Sequence, residues 1–326
     1  MTTGTEVLID WLQGTFPARN RVRLEGLVKS VFGGGSFVFL NHGLKFYKQA
    51  FRHTSGALLG SDQRIRGLGD ARDYLELSGR VVGMLPIHKL SWLFRGLKTL
   101  DFSPTRIDLC LDDFSWSYSP RDASEAYEAG NVSGFRDTGR LITKGRGAGK
   151  GISFSLGNRG AKGSGKKLTF YDKNLESNGA RNCCRLELSL YGHYAKQCFS
   201  DLSTMYLSNW SLTIRSYISH SVDFIDRSVS DRADRCPRLD WWANLIGSVI
   251  SLCWEPRYKD PELLDRVVRW LTKQVAPSFS ALFEVFNYRS GELAFWEFFY
   301  SLLFDGEKRQ NLELQALVNS FRFSSV

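Results

Sequence analysis

Three short segments with a two-residue alternation constrain this chain more than any other feature. In Thr105–Phe114, Ile107, Leu109 and Leu111 fall on one side, and Arg106, Asp108, Cys110 and Asp112 on the other. In Lys167–Lys173, Leu168 and Phe170 oppose Lys167, Thr169 and Tyr171. In Arg185–Leu190, Leu186, Leu188 and Leu190 oppose Arg185, Glu187 and Ser189. Successive side chains of a strand point to opposite sheet faces. Pairing the three strands therefore gathers acids, two arginines and a tyrosine on one surface, with leucines behind them.

That surface suits the cutting of a phosphodiester. Asp108 and Glu187 offer hard oxygen ligands to Mg2+ or Mn2+, and such an ion neutralises charge developing on the scissile phosphate. Tyr171 would supply the attacking oxygen and become a phosphotyrosine. A phenol titrates near about 10, so Lys167, Lys173 and Arg185, or the metal, are expected to favour the phenolate. Asp108 and Asp112 stand four residues apart, about 13 Å along a regular strand, and are not expected to share one ion. Arg106 and Arg185 are the expected groups for steering phosphate or orienting the carboxylates. The plainer account of the same residues is a pair of salt bridges and a half-buried tyrosine on a solvated sheet.

Charge points to a polyanionic partner. The 326-residue chain carries a formal net charge of +9, which favours nucleic acid. Between Thr138 and Lys173 nine lysines and arginines meet one acid, Asp172. Lys144, Arg146, Lys150, Arg159, Lys162, Lys166, Lys167 and Lys173 are the candidate DNA contacts from this run. Its glycines let backbone amides approach phosphate, although the same composition also describes a solvated hairpin tip. GRGAGKG lacks the spacing and the Ser or Thr of a P-loop. An RNA partner fits the basic run but leaves the paired acids without a role.

Six cysteines show no CxxC pair and no zinc spacing, as expected of reduced thiols in a cytoplasmic protein. The N-terminus has no basic region ahead of an apolar one. The longest apolar run, Trp241–Trp254, is broken by Asn, Gly and Ser and too short for a bilayer. No membrane association is expected.

Alternating strand and helix patterns predict an α+β fold: a largely antiparallel sheet domain with helices over residues 1–228, then a helical C-terminal region over 229–326. Strands are expected at Ser36–Leu40, Leu44–Tyr47 and Tyr74–Leu77, with Gly151–Leu156 and Lys167–Tyr171 as a hairpin. Helices are expected at Ile87–Thr99, at Pro120–Gly130 and after Tyr191. Polar SVSDRADRCPRL marks the change of region. Asp260-Pro261-Glu262 opens a helix running to Leu271, with Pro277 beyond its end. Further helices are expected at Ala294–Leu303 and Leu312–Phe321. Origin recognition, a host helicase contact and homodimer formation are the candidate roles of this region.

TRIDLCLDD, GISFSLGNRGAKGSGKKLTFYDKNLE and RLELSL, in that order, resemble the replication initiation factors of rolling-circle plasmids and filamentous phages. A weaker likeness runs through PRLDWW and RWLTKQVAPS. The resemblance implies a nicking endonuclease that binds origin DNA, duplex and single-stranded, with a divalent metal, Mg2+ or Mn2+. It also implies a 5′-phosphotyrosine link and a 3′-hydroxyl primer. The tyrosine of the YDK motif matches Tyr171, with Tyr191 and Tyr194 of YGHYAK as alternatives. None of the five histidines pairs into the His-hydrophobic-His motif of the other large nickase class. A non-catalytic, sequence-specific DNA-binding regulator on the same scaffold is the alternative function.

Overall fold

The computed structural model describes residues 4–63, 71–135, 139–144, 151–160, 165–247 and 270–307, with positions 249, 252, 254 and 268. The three alternating segments become β6 (Ser103–Asp113), β10 (Lys166–Asp172) and β11 (Cys184–Tyr191), and β11 lies between the other two. They are joined by β1 (Thr5–Pro17), β2 (Phe37–Leu40), β3 (Tyr47–His53), β4 (Leu58–Gln63), β5 (Arg72–Leu77), β8 (Arg140–Lys144) and β9 (Gly151–Asn158). The sheet runs β2-β3-β4-β5-β1-β6-β11-β10-β9-β8, antiparallel at every pairing. Val132–Ser133 (β7) and Asp223–Phe224 (β12) form a separate two-stranded pair. The fold is α+β, as the strand and helix patterns predict.

The apolar face of each alternating strand is buried. Leu109, Leu111, Leu168, Leu186, Leu188 and Leu190 are all inaccessible to solvent. Helices α1 (Arg21–Val31), α2 (Gly79–Val82), α3 (Ile87–Thr99) and α4 (Pro120–Glu128) contribute to the same core, as do α6 (His193–Thr204) and α7 (Trp210–Ser221). The short α5 (Lys173–Glu176) buries none of its residues. In α3 the buried apolar set is Leu90, Leu93, Phe94 and Leu97, a single stripe at helical spacing. α4 starts at a capping box in which Ser119 accepts from the Asp122 amide and Asp122 accepts from the Ser119 amide, with Pro120 in the first turn.

Two departures from the sequence patterns have local causes. Leu44–Tyr47 forms only an isolated bridge, and β2 pairs instead with β3, Phe37 opposite His53 and Leu40 opposite Ala50. Lys45 there adopts a left-handed backbone, φ 53°, which turns the chain rather than extending it. The larger departure is β1, the thirteen-residue strand between β5 and β6. Its buried Ile9 and Leu12 are three residues apart, because the register against β6 slips between Ile9 and Trp11. A bulge shifts the alternation by one residue, so no single two-residue period runs through the segment.

The chain divides into compact units at Met1–Trp254 and Glu255–Val326, later than the expected break at residue 228. The cause is PRLDWW. On α8 (Asp240–Ile246) Trp242 is fully buried. Trp241 packs its ring 4.9 Å from Phe224 and 6.4 Å from Phe170. This segment belongs to the core of the sheet unit. In the second unit, α9 (Ala276–Arg289) and α10 (Glu292–Glu307) pack through phenylalanines, Phe283 meeting Phe295 edge-on at 5.1 Å. Pro277 sits in the first turn of α9, two residues past the end of the π-helical turn Leu271–Val275. Of the helix expected from Asp260 to Leu271, positions 268, 270 and 271 are described and are helical, and the helix expected at 312–321 lies outside the described residues.

Candidate active site on the polar sheet face

Strand register assembles the polar face. From β11, Tyr191 lies opposite Arg106, Ser189 opposite Asp108, Glu187 opposite Cys110, and Arg185 opposite Asp112. On its other flank, Ser189, Glu187 and Arg185 face Lys167, Thr169 and Tyr171 of β10. Across β6, β1 sets Gln13 opposite Arg106 and Trp11 opposite Asp108, and then bulges, leaving Asp10 without a register partner. Bulges beside functional sites re-aim a side chain. Here the re-aimed carboxylate joins Cys110 and Glu187, the three offering ligand atoms within 4.8 Å of one another. Gly79 permits the approach, since a Cβ at that position would stand 2.6 Å from Asp10 Oδ1.

Tyr171 donates its phenolic hydrogen to Glu187 Oε2 at 3.0 Å. Ser189 donates to Glu187 Oε1 at 3.3 Å. The phenol titrates far above its ordinary value, first because it is buried and next because Glu187 is negative. This overturns the expectation that neighbouring cations favour the phenolate. Arg185 does pull the other way, but its charge is already met by two carboxylates, and Lys173 is paired with Glu176 at 2.5 Å. In the bare site Tyr171 is a neutral hydrogen-bond donor.

The two residues of the expected metal pair, Asp108 and Glu187, both flank Arg106, and a second donor set shares Glu187 with them. Asp108 is gripped by Arg106, Nε to Oδ1 at 2.8 Å and Nη2 to Oδ2 at 2.5 Å. Burial pushes its carboxyl up to about 7, against the pull of Arg106 and with help from the Glu187 charge. Glu187 stands 3.9 Å from the same guanidinium. Asp10, Cys110 and Glu187 form that second set, with ligand atoms close enough to reach one ion. The Cys110 thiol is fully buried and forms no disulfide among the described residues. Two carboxylates supply the hard oxygens that suit Mn2+ or Mg2+, and the thiol adds one softer donor.

Arg185 is not placed to steer phosphate. Only 2 % exposed, it donates to both oxygens of Asp112 at 2.5 and 2.8 Å and to Asp10 Oδ1 at 2.7 Å. Its guanidinium pulls the Asp112 carboxyl below the ordinary range despite burial, with Arg181 assisting. Arg185 therefore ties Asp10 to Asp112. Arg185→Met should destabilise the fold by roughly 3 kcal/mol, the low end for breaking a buried pair because Arg181 still meets Asp112. Urea unfolding measures this. An unchanged midpoint and slope would mean that Asp112 is stable without Arg185.

The candidate DNA contacts scatter. Lys167 shares the polar face with Ser189. Lys166, its neighbour, points to the other side and lies 5.1 Å from the ring centre of Trp254 and 5.3 Å from that of Tyr194. Burial there lowers its ammonium to about 8. Lys173 lies over the Tyr171 ring at 5.8 Å. Arg159 is exposed and lies over Tyr191 at 5.6 Å. For Lys144 only the backbone is described, and Arg146, Lys150 and Lys162 lie outside the described residues. Of the alternative nucleophiles, Tyr191 sits beside Arg106 at 5.6 Å and Tyr194 packs edge-on to Trp254 at 4.8 Å. Asp113, on the opposite face, accepts from the backbone of Ser115 and Ser117 at 2.9 and 2.6 Å, a turn-forming role.

The replication initiation factor family model matches residues 103–294, from the start of β6 into α10. The chain belongs to that family. Its fold is also similar to that of the rolling-circle replication initiator protein from Geobacillus stearothermophilus, with a TM-score of 0.59 at 19% identity. That likeness covers 75% of this chain and 96% of that one. No protein of curated function matches this member of the family in sequence. β1, and with it Asp10 and Trp11, lies outside the family match.

Proposed function

We propose that this replication initiation factor nicks and rejoins one strand of its origin DNA through Tyr171. The observation that carries the reading is the bond from the Tyr171 phenol to Glu187, within a cluster of metal-type donors. In the reaction the phenolic oxygen bonds to phosphorus, and the bond from phosphorus to the 3′-oxygen breaks. The phenol proton passes to Glu187 and the leaving 3′-oxygen takes a proton from solvent. The products are a 5′-phosphotyrosine and a 3′-hydroxyl able to prime synthesis, and reversal rejoins the strand.

Asp10, Glu187 and Cys110 are the residues that would hold a divalent cation, Mn2+ or Mg2+, which when bound supplies charge neutralisation at the scissile phosphate. Arg106, held by Asp108 and 28 % exposed on its side chain, adds a fixed positive charge beside the same phosphate. Arg185 keeps Asp10 in place. The helical unit is free to serve origin recognition, a helicase or a second copy.

The test is supercoiled DNA carrying the element's own origin, incubated with Mn2+ or Mg2+ and stopped with SDS. Protein linked to the 5′ end of a nicked circle, dependent on the cation, supports the proposal. Specific binding without nicking under either cation would leave a non-catalytic regulator.

A further inference from the structure

A row of alternating rings and guanidinium groups crosses the polar face beside the catalytic cluster, and nicking chemistry gives a task to Arg106 but none to the rings or to Arg159. Trp11 on β1 lies 5.0 Å, ring centre to Cζ, from Arg106 on β6. The same guanidinium lies 5.6 Å from the Tyr191 ring at the end of β11, and Arg159 covers that ring from 5.6 Å. The row runs across the strands, because Gln13, Arg106 and Tyr191 are register partners. Trp11 and Tyr191 are half-buried rather than core residues, and Arg159 is exposed. The indole N–H of Trp11 donates to Gln13 Oε1 at 3.0 Å, which fixes the ring plane.

We infer that Trp11 and Tyr191, with Arg106 and Arg159, are the stacking seat for unpaired bases next to the scissile phosphate. Aromatic rings interleaved with arginines on a sheet face bind single strands with little regard to sequence, since every base has a π-face. Bases paired in a duplex keep those faces covered, so the row discriminates melted from duplex DNA. Its position agrees. Arg106 lies four residues along β6 from Cys110, about 13 Å at strand spacing, and Cys110 is opposite Glu187, which receives the Tyr171 phenol. A strand crossing the row thus reaches the nucleophile within a very few nucleotides. The site of action rests on the nicking proposal, but the row itself is tested by binding alone.

The probes are fluorescein-labelled oligo(dT) and the oligo(dA)·oligo(dT) duplex of the same length, with anisotropy as the readout on the full chain. Trp11→Ala and Tyr191→Ala should each weaken oligo(dT) binding by about 5- to 100-fold, the range for one lost base stack. Duplex affinity should stay the same. Trp11→Phe keeps a ring and should retain most of the single-strand affinity, which separates stacking from misfolding. The slope of log affinity against log salt should not change in the tryptophan variants, whereas Arg159→Ala should flatten it. Unaltered oligo(dT) affinity in both alanine variants would overturn the inference, and so would equal losses on duplex and single strand. A protein that binds oligo(dT) through Trp11 yet never cuts its origin would keep this inference and sink the nicking proposal.

Discussion

Tyr171→Phe should bind origin DNA as wild type does and leave no protein on the nicked end. The substitution removes one oxygen from a half-buried ring and leaves the packing of β10 between β9 and β11 untouched. What disappears is the phenol that Glu187 accepts at 3.0 Å. Without a nucleophilic oxygen the covalent step has no substitute in the cluster, since Cys110 is wholly buried below it. The expected loss is the full covalent signal, at least about 10³-fold and limited by the assay, in line with deleting a nucleophile. Glu187 is left with the Ser189 hydroxyl and its proximity to Arg106. The fold should therefore lose no more than about 1 kcal/mol, the net worth of one hydrogen bond. Gel analysis after SDS, with binding measured in parallel, decides it. A surviving 5′ adduct would move the nucleophile to Tyr191 or Tyr194, and mapping the adduct peptide would say which.

The polar face was legible in the sequence because strands have a two-residue period and three of these strands are regular. The alternation in TRIDLCLDD, KLTFYDK and RLELSL placed Asp108, Glu187, Arg185 and Tyr171 on one surface, and the registers agree residue by residue. Asp10 was hidden for the converse reason. The bulge puts Ile9 and Leu12 out of phase, and a broken period reads as no strand at all. Cys110 carried no spacing signal because its companions, Asp10 and Glu187, are 100 and 77 residues away in the chain and meet it only through strand pairing. The role of Arg185 also depended on the third dimension. An arginine two residues from a glutamate suggests an ion pair along the strand, but alternate residues share a face with several cross-strand neighbours. Asp112, directly opposite Arg185, is its partner. The tryptophans of PRLDWW follow a polar stretch in the sequence, and their packing against Phe224 shows that they belong to the first unit.

Asp10→Asn separates the two carboxylate sets that this face offers. Asparagine keeps a carbonyl oxygen for the Arg185 bond, 2.7 Å in the native site, so the fold should survive with a small drop in melting temperature. It removes the negative charge that Asp10 brings to Cys110 and Glu187. Nicking should fall about 10²- to 10⁴-fold, the scale of several kcal/mol of charge stabilisation lost at a phosphoryl centre. Cation affinity, read by calorimetry on the DNA-free protein, should fall with it. Asp108→Asn should do less to cation affinity, because Asp108 is committed to Arg106 and its carboxyl is pushed up to about 7 by burial. Its main effect should be on the placement of Arg106, seen as weaker DNA binding. Cys110→Ser completes the comparison. A thiol favours softer cations and a hydroxyl harder ones, so the substitution should lower the ratio of Mn2+- to Mg2+-supported nicking without abolishing either. The opposite pattern, with cation binding intact in Asp10→Asn and lost in Asp108→Asn, would return the metal to Asp108 and Glu187. It would also reduce the bulge in β1 to a structural feature.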